Sequence, residues 1–219
     1  MKLSIAYRFV LSLLIVGVFS CKEDPRNEKK GANALVELPK KYPIKYAKGF
    51  DIKYYKNHKV LSIKTPYPNA TTSFEYVLID SLVKESALHI IQIPVKSLVV
   101  TSTTHIPMLE LLQVEARLTG FPNTNYVSSE KTRALIDSGQ VIDLGNEENM
   151  NTEVLIDLQP ELVVGFSISS NNEMFNLIEK LGIPVIFNGD WLEETPLGRA
   201  EWIKFFGVLF NKEREANDL

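Results

Sequence analysis

Cysteine is nearly absent from this sequence: Cys21 is the only one among 219 residues, so no internal disulfide can form. Histidine is almost as scarce. His58, His89 and His105 are too scattered to compose a metal site by themselves. An excess of either charge is also lacking, with 24 Lys and Arg against 27 Asp and Glu and a net charge of −3. No polybasic run lies beside an aromatic stripe, which excludes nucleic acid as the expected partner. The sequence has neither G-x-G-x-x-G nor G-x-x-x-x-G-K-S/T, hence no glycine-rich cradle for a phosphate. It also lacks G-x-S-x-G, H-E-x-x-H and C-x-x-C. A nucleotide-using or hydrolytic enzyme needs one of these, or another acid–base set converging in space, so a non-enzyme is expected. Disorder over the full length is excluded as well, because apolar residues make up 45% of the chain.

What is present begins at the N-terminus. Lys2 and Arg8 precede an apolar run over residues 9–19, broken only by Ser12 and Gly17. That run is too short for the roughly 20 residues a membrane-crossing helix needs, and it has the length of a signal peptide, assigned to residues 1–20. It ends in Val18-Phe19-Ser20-Cys21, which resembles a bacterial lipobox. The resemblance implies cleavage before Cys21 and a lipid on its thiol; the alternative is a signal-anchor helix with an incidental cysteine. Residues 21–34 are charged and poor in aromatic and β-branched side chains, as expected of a solvated tether.

Residues 35–96 read as β-rich. Phe50-Asp51-Ile52-Lys53-Tyr54 alternates apolar and polar, Asn57-His58 supplies a turn, and Val60-Leu61-Ser62-Ile63 resumes the pattern. Residues 74–79 and 89–93 add two more short runs. Period two with turns between predicts a half-buried antiparallel meander, in which His58 and His89 are structural.

At Leu98 the pattern changes. Leu98-Val99-Val100 is a continuous apolar run, the mark of a strand covered on both faces. Ile106, Leu109 and Leu112 follow at helical spacing. Strands are then predicted at 117–120, 141–144, 162–166 and 184–187, with helices at 129–138, 152–158 and 171–181 between them, two of these ended by Gly139 and Gly182. This alternation defines an α/β lobe over residues 97–195: a Rossmann-like parallel sheet with helices on both faces. Such sheets bind ligands outside the carboxyl ends of their strands. Ser102, Thr103, Thr104, Tyr126, Ser167 and Trp191 lie on those strand-end loops and are the candidate ligand-binding residues. His105 is expected to be a solvated residue rather than a ligand, and no metal site is assigned. Thr195-Pro196 opens a further helix over residues 196–219. Trp202, Phe205, Phe206, Leu209 and Phe210 form its apolar face, with Lys204 and Asn211 opposite and Glu201 on the flank.

Four blocks carry a resemblance: Ser97-Leu98-Val99-Val100-Thr101-Ser102-Thr103-Thr104; Asn151-Thr152-Glu153-Val154-Leu155 with Leu158-Gln159-Pro160-Glu161-Leu162-Val163-Val164; Leu181-Gly182-Ile183-Pro184-Val185; and Glu194-Thr195-Pro196-Leu197-Gly198-Arg199-Ala200-Glu201-Trp202. In this order they resemble the N-terminal lobe of the siderophore, haem and cobalamin binding proteins, the iron-complex class of ABC-importer solute-binding proteins. The resemblance covers residues 97–216. It implies an exported lipoprotein, anchored in the cell envelope through Cys21, that captures an iron siderophore, haem or a corrinoid and has no cofactor of its own. It further implies that Glu153 contacts the transmembrane subunits of an ABC permease. In that family the helix starting at Pro196 is a spine leading to a second lobe, absent here, so a truncated copy is expected, with residues after 207 frayed for want of a partner surface. Two alternatives stay open. A free zinc or manganese receptor would need several His, Asp or Glu side chains converging on the cleft, where the sequence offers His105. An enzyme lobe of the same doubly wound type would need the motifs that are missing.

Overall fold

Alternation sets the first sheet. Strands β1 (Phe50–Tyr54), β2 (Lys59–Ile63), β3 (Phe74–Ile79) and β4 (Ile90–Gln92) lie side by side in that order. The computed structural model from which this is read describes residues 36–80, 89–147 and 149–219; the signal peptide, Cys21 and the tether proposed for residues 1–34 lie outside them. β1, β2 and β3 are antiparallel, with Phe50 opposite Ile63 and Ile52 opposite Leu61, all four buried. β4 corrects the expected meander: it runs parallel to β3, pairing Ile90 with Val77. Ten residues separate Ile79 from Ile90, more than the two that suffice to join an antiparallel pair. Period two reports which face a strand buries and is silent on its direction.

The second sheet is parallel throughout. β5 (Leu98–Val100), β6 (Leu118–Phe121), β7 (Ile142–Asp143), β8 (Leu162–Gly165) and β9 (Val185–Phe187) take the order β7-β6-β5-β8-β9. Between them run α1 (His105–Leu111), α2 (Glu130–Asp137), α3 (Thr152–Leu158) and α4 (Glu173–Lys180). Leu98, Val100 and Val164 face one core with Ile106 and Leu109 of α1. Val99, Val163 and Val185 face the other with Leu155 of α3 and Ile178 of α4. Two buried faces explain why these strands read as unbroken apolar runs. Local signals end the helices where the sequence predicts. Asn151 accepts the Glu153 and Val154 N–H groups at 3.1 and 3.2 Å at the start of α3. Gly139 and Gly182, beyond α2 and α4, have φ of +77° and +86°, the left-handed backbone that closes a helix.

The C-terminal segment departs from expectation. The continuous spine helix is three short helices, α5 (Pro196–Glu201), α6 (Ile203–Leu209) and α7 (Glu213–Asp218). Thr195 caps α5 through the Gly198 N–H at 3.0 Å. Between α6 and α7 Asn211 takes the left-handed conformation, φ +55°, which asparagine tolerates. α7 then packs on α6, and Gly207 is required by the approach: a Cβ there would lie 2.6 Å from the Ala216 Cβ. Lys59 of β2 pairs with Glu213 at 2.5 Å. The Val95 N–H donates to the Leu209 carbonyl at 3.0 Å. Residues after 207 are therefore docked, not frayed, with Val208, Leu209 and Phe210 all buried.

The one-faced reading of this segment is corrected too. Trp202, Phe205 and Phe206 are fully enclosed as expected, but Glu201 and Lys204 are also buried. Residues 43–47 cover the side that periodicity left to solvent, bonding Glu201 and Lys204, while the first sheet covers the apolar side: Phe50 meets Trp202 at a tilt with centroids 4.6 Å apart and Phe205 edge-on at 6.4 Å. First sheet, parallel sheet, α1 and α6 thus share one continuous core.

Candidate functional site

β5 has β6 on one side and β8 on the other, so the loops leaving these strands turn apart and open a crevice at the carboxyl end. A hollow of about 390 Å³ occupies it. Thr101, Ser102 and Thr103 line it from the β5 loop, and Pro122, Asn123 and Tyr126 from the β6 loop. Phe166, beyond β8, and Glu147, beyond β7, are shared with an adjoining hollow of about 460 Å³ that extends over residues 167–175.

Backbone and side-chain bonds hold these loops. The Thr101 N–H donates to the Val164 carbonyl at 3.1 Å, and Thr101 Oγ1 accepts the Phe166 N–H at 3.2 Å. Asp143, at the end of β7, accepts the Thr124 N–H at 3.2 Å, the Thr124 hydroxyl at 2.5 Å and the Gly145 N–H at 2.7 Å. Burial pushes the Asp143 carboxyl up, but these donors outweigh it and hold the group below the usual carboxylate range. On the rim, Tyr126 is 74% and Ile168 72% exposed.

The predicted ligand-facing residues divide. Ser102, Thr103 and Tyr126 come together in the first hollow and Ser167 lines the second. The Ser167 hydroxyl is already engaged: it donates to the Ser169 carbonyl at 2.6 Å and lies 2.5 Å from Asn172 Oδ1. Thr104 lies outside both hollows, its hydroxyl 2.9 Å from that of Ser102. Trp191 also lies outside them, in a 3₁₀ turn (Asp190–Leu192) past the edge strand β9. Glu153 is exposed in the first turn of α3. Sequence reading did not single out Glu147, Phe166 or Ile168. Their signal was position alone, since each falls in or beside a strand-end loop.

His105 corrects its expectation. It is fully buried against Phe206, ring centroids 5.5 Å apart, with no hydrogen-bond partner for either ring nitrogen. Burial pushes its pKa down to about 3, so it is a neutral core side chain. Among the described residues no group of three or more His, Cys, Asp or Glu side chains is placed to hold a metal ion. None of the described helices is long and apolar enough to cross a membrane.

A second polar cluster is built differently. Glu201 accepts the backbone N–H groups of Lys45 (2.9 Å), Tyr46 (2.5 Å) and Ala47 (2.8 Å), and Lys204 Nζ at 2.9 Å. Lys204 also donates to the Pro43 carbonyl at 2.9 Å. Glu193 accepts the Lys48 and Gly49 N–H groups at 2.9 and 2.8 Å and the Trp202 indole N–H at 3.1 Å. Glu201 of α5, Glu193 just before it and Lys204 of α6 thereby clamp residues 43–49 onto the C-terminal segment. Burial alone would raise the Glu201 carboxyl, but its donors hold it below the ordinary value.

In open α/β sheets the switch point is the general location of small-molecule sites, and the first hollow lies there. Residues 98–219, more than half of the chain, match the periplasmic binding protein family, and the chain belongs to that family. Two uncharacterized lipoproteins of Methanocaldococcus jannaschii are each 24% identical to it. One aligns over 79% of this chain and 47% of its own length, the other over 92% and 55%. A periplasmic binding protein from Veillonella parvula has a similar fold, with a TM-score of 0.50 and 14% identity over 74% of this chain and 50% of its own. The chain spans about half the length of the curated relatives it matches.

Proposed function

We propose that the chain is the capture component of an ABC importer: an exported lipoprotein, anchored through Cys21, that receives an iron siderophore, haem or a corrinoid. The observation that carries this reading is the hollow of about 390 Å³ at the switch point of a periplasmic-binding-protein lobe. Its wall offers the Ser102 and Thr103 hydroxyls for hydrogen bonds and the Tyr126 and Phe166 rings for apolar contact, the mixture that a chelate with a polar rim and organic faces requires. Glu153 is the residue that meets the permease. Its exposure and its place in the first turn of a capped helix suit a carboxylate presented to a basic partner. The sequence around Cys21 supports the anchor, and two of the curated relatives are named lipoproteins.

The test is uptake of an isotope-labelled iron chelate by cells that carry the chain in their own envelope. Deleting the chain should abolish uptake, and Glu153→Arg should reduce it while leaving chelate binding unchanged. In the same cells the mature protein should begin at a diacylglyceryl-modified Cys21 by mass spectrometry. Uptake that persists undiminished without the chain would sink the receptor reading.

A further inference from the structure

Tyr126 lines the first hollow, yet it is 74% exposed. A side chain so open has little packing of its own to fix it, so its place is set by the turn that carries it, Thr124–Tyr126. That turn is tied down by a residue that lines neither hollow. Asp143 Oδ2 accepts the Thr124 N–H at 3.2 Å and the Thr124 hydroxyl at 2.5 Å, while Oδ1 accepts the Gly145 N–H at 2.7 Å. One carboxylate thus holds the β6 loop with one oxygen and the β7 loop with the other. We infer that Asp143 is a positioning residue of the binding site, setting ligand affinity without touching ligand by holding Tyr126 in the wall. The inference rests on the receptor reading above.

The two loops do not depend on it equally. The β7 loop has ties of its own: the Leu144 N–H donates to the Phe121 carbonyl at 3.1 Å, and the Asn151 N–H to the Leu144 carbonyl at 2.8 Å. The turn carrying Tyr126 follows Asn123 in the left-handed conformation, φ +52°, a backbone state uncommon outside glycine that neighbouring bonds must keep in place. Asp143 supplies two of those bonds at Thr124. The Asn123 N–H to the Gly145 carbonyl and Arg133 Nη1 to the Thr124 carbonyl, both at 2.7 Å, supply others. Without the carboxylate, buried Thr124 keeps an N–H and a hydroxyl with no acceptor, and other arrangements of the turn become competitive. A site that is competent part of the time binds more weakly in proportion to that fraction. A turn correctly placed about a tenth of the time would lower affinity about tenfold.

The full chain can be titrated by fluorescence with three probes: an uncharged cyclic ferric trihydroxamate, haem and a corrinoid. The tightest binder is then carried through the variants. Asp143→Ala should weaken it about tenfold. In a Tyr126→Ala background the same change should cost no more than about twofold, because the ring it positions is gone. A general structural role would instead give additive losses. Thr124→Val removes the hydroxyl arm alone and should lower affinity severalfold, whereas Thr124→Ser, which keeps the hydroxyl, should bind like wild type. This pair decides the question should urea unfolding show that Asp143→Ala is not folded. Wild-type affinity in a folded Asp143→Ala, its full loss repeated in the Tyr126→Ala background, or equal affinity of Thr124→Val and Thr124→Ser would overturn the positioning role while leaving the receptor reading intact. Binding of none of the three probes by wild type would overturn the receptor reading, and the positioning role with it.

Discussion

Glu201 and Tyr126 represent two opposite uses of polar groups in one molecule. The Glu201 carboxylate is enclosed, and three successive backbone N–H groups and an ammonium donate to it. Such a site is chemically complete: its capacity is spent on joining residues 45–47 to α5 and on pairing Lys204 of α6, and a ligand could only displace what is there. The rim of the hollow is unfinished by the same measure. Tyr126 is 74% exposed, and Thr103 and Ile168 are also open to solvent. Burial with saturated donors marks a structural carboxylate, while exposed polar and aromatic groups around a concave surface mark a binding wall.

The largest expected effect is at the clamp. Glu201→Ala leaves the Lys45, Tyr46 and Ala47 N–H groups and the Lys204 ammonium without their acceptor, and removing one partner of a buried ion pair costs about 3–5 kcal/mol. Urea unfolding should show it, with Glu201→Gln intermediate because one acceptor oxygen survives. The sign with pH follows from the lowered carboxyl. A group whose folded value lies below its unfolded value stabilises the fold above the unfolded value, 4.5 here, and that contribution fades as pH falls through the folded value. The difference between wild type and Glu201→Gln should therefore be wide at neutral pH and close in acid. A gap that widened in acid would show that the clamp is not held as a carboxylate.

His105 gives an effect of the next size and sharpens the contrast, since it is buried but unsaturated. Its folded pKa of about 3 lies below the unfolded value of 6.5, so the unfolded state takes up the proton first as pH falls. Stability should then drop between those two values, with a limiting slope of about 1.4 kcal/mol per pH unit. His105→Leu should remove this slope, and at neutral pH it should be at least as stable as wild type, because two unpaired ring nitrogens are replaced by apolar surface. Unfolding midpoints of the two proteins across that range decide it. Parallel decline in both would place the acid sensitivity elsewhere.

These two residues also show what was legible in the sequence. The parallel sheet could be read because its strands are buried on both faces and its helices carry local stop signals such as Asn151, Gly139 and Gly182. Local signals do not report what covers a face. Lys204 read as the polar side of an amphipathic helix and Glu201 as its flank, yet residues 43–47, more than 150 positions away, enclose them. His105 read as a solvated helix start for the same reason, with Phe206 the unseen neighbour. β4 inverted because alternation carries no direction. At the hollow, the strand-end rule pointed to loops that line it, and so to Ser102, Thr103 and Tyr126. It could not tell that Ser167 turns its hydroxyl into its own loop, or that Trp191 follows the edge strand β9, outside the crevice.

The smallest stability effect belongs to the rim, and there the two kinds of site separate most cleanly. Tyr126→Ala removes a ring that is mostly in water, so little apolar burial is lost. Substitutions at exposed positions away from caps and buried bonds change stability by no more than about 0.5 kcal/mol. The neighbouring structure should also survive, because the 3₁₀ turn carrying Tyr126 is held through Thr124, whose N–H and hydroxyl go to Asp143 and whose carbonyl accepts from Arg133 Nη1 at 2.7 Å. Chelate binding should behave oppositely: an aromatic wall of the hollow is gone, and affinity for the uncharged trihydroxamate should fall roughly tenfold, the scale of one lost aromatic contact. Paired melting and fluorescence titrations of one preparation, read through Trp191 and Trp202, would check both. Unchanged affinity with unchanged stability would show that the β6 loop is not part of the binding wall. A large loss of stability would mean that Tyr126 is structural like Glu201, and the contrast between clamp and rim would fail at the residue chosen to represent it.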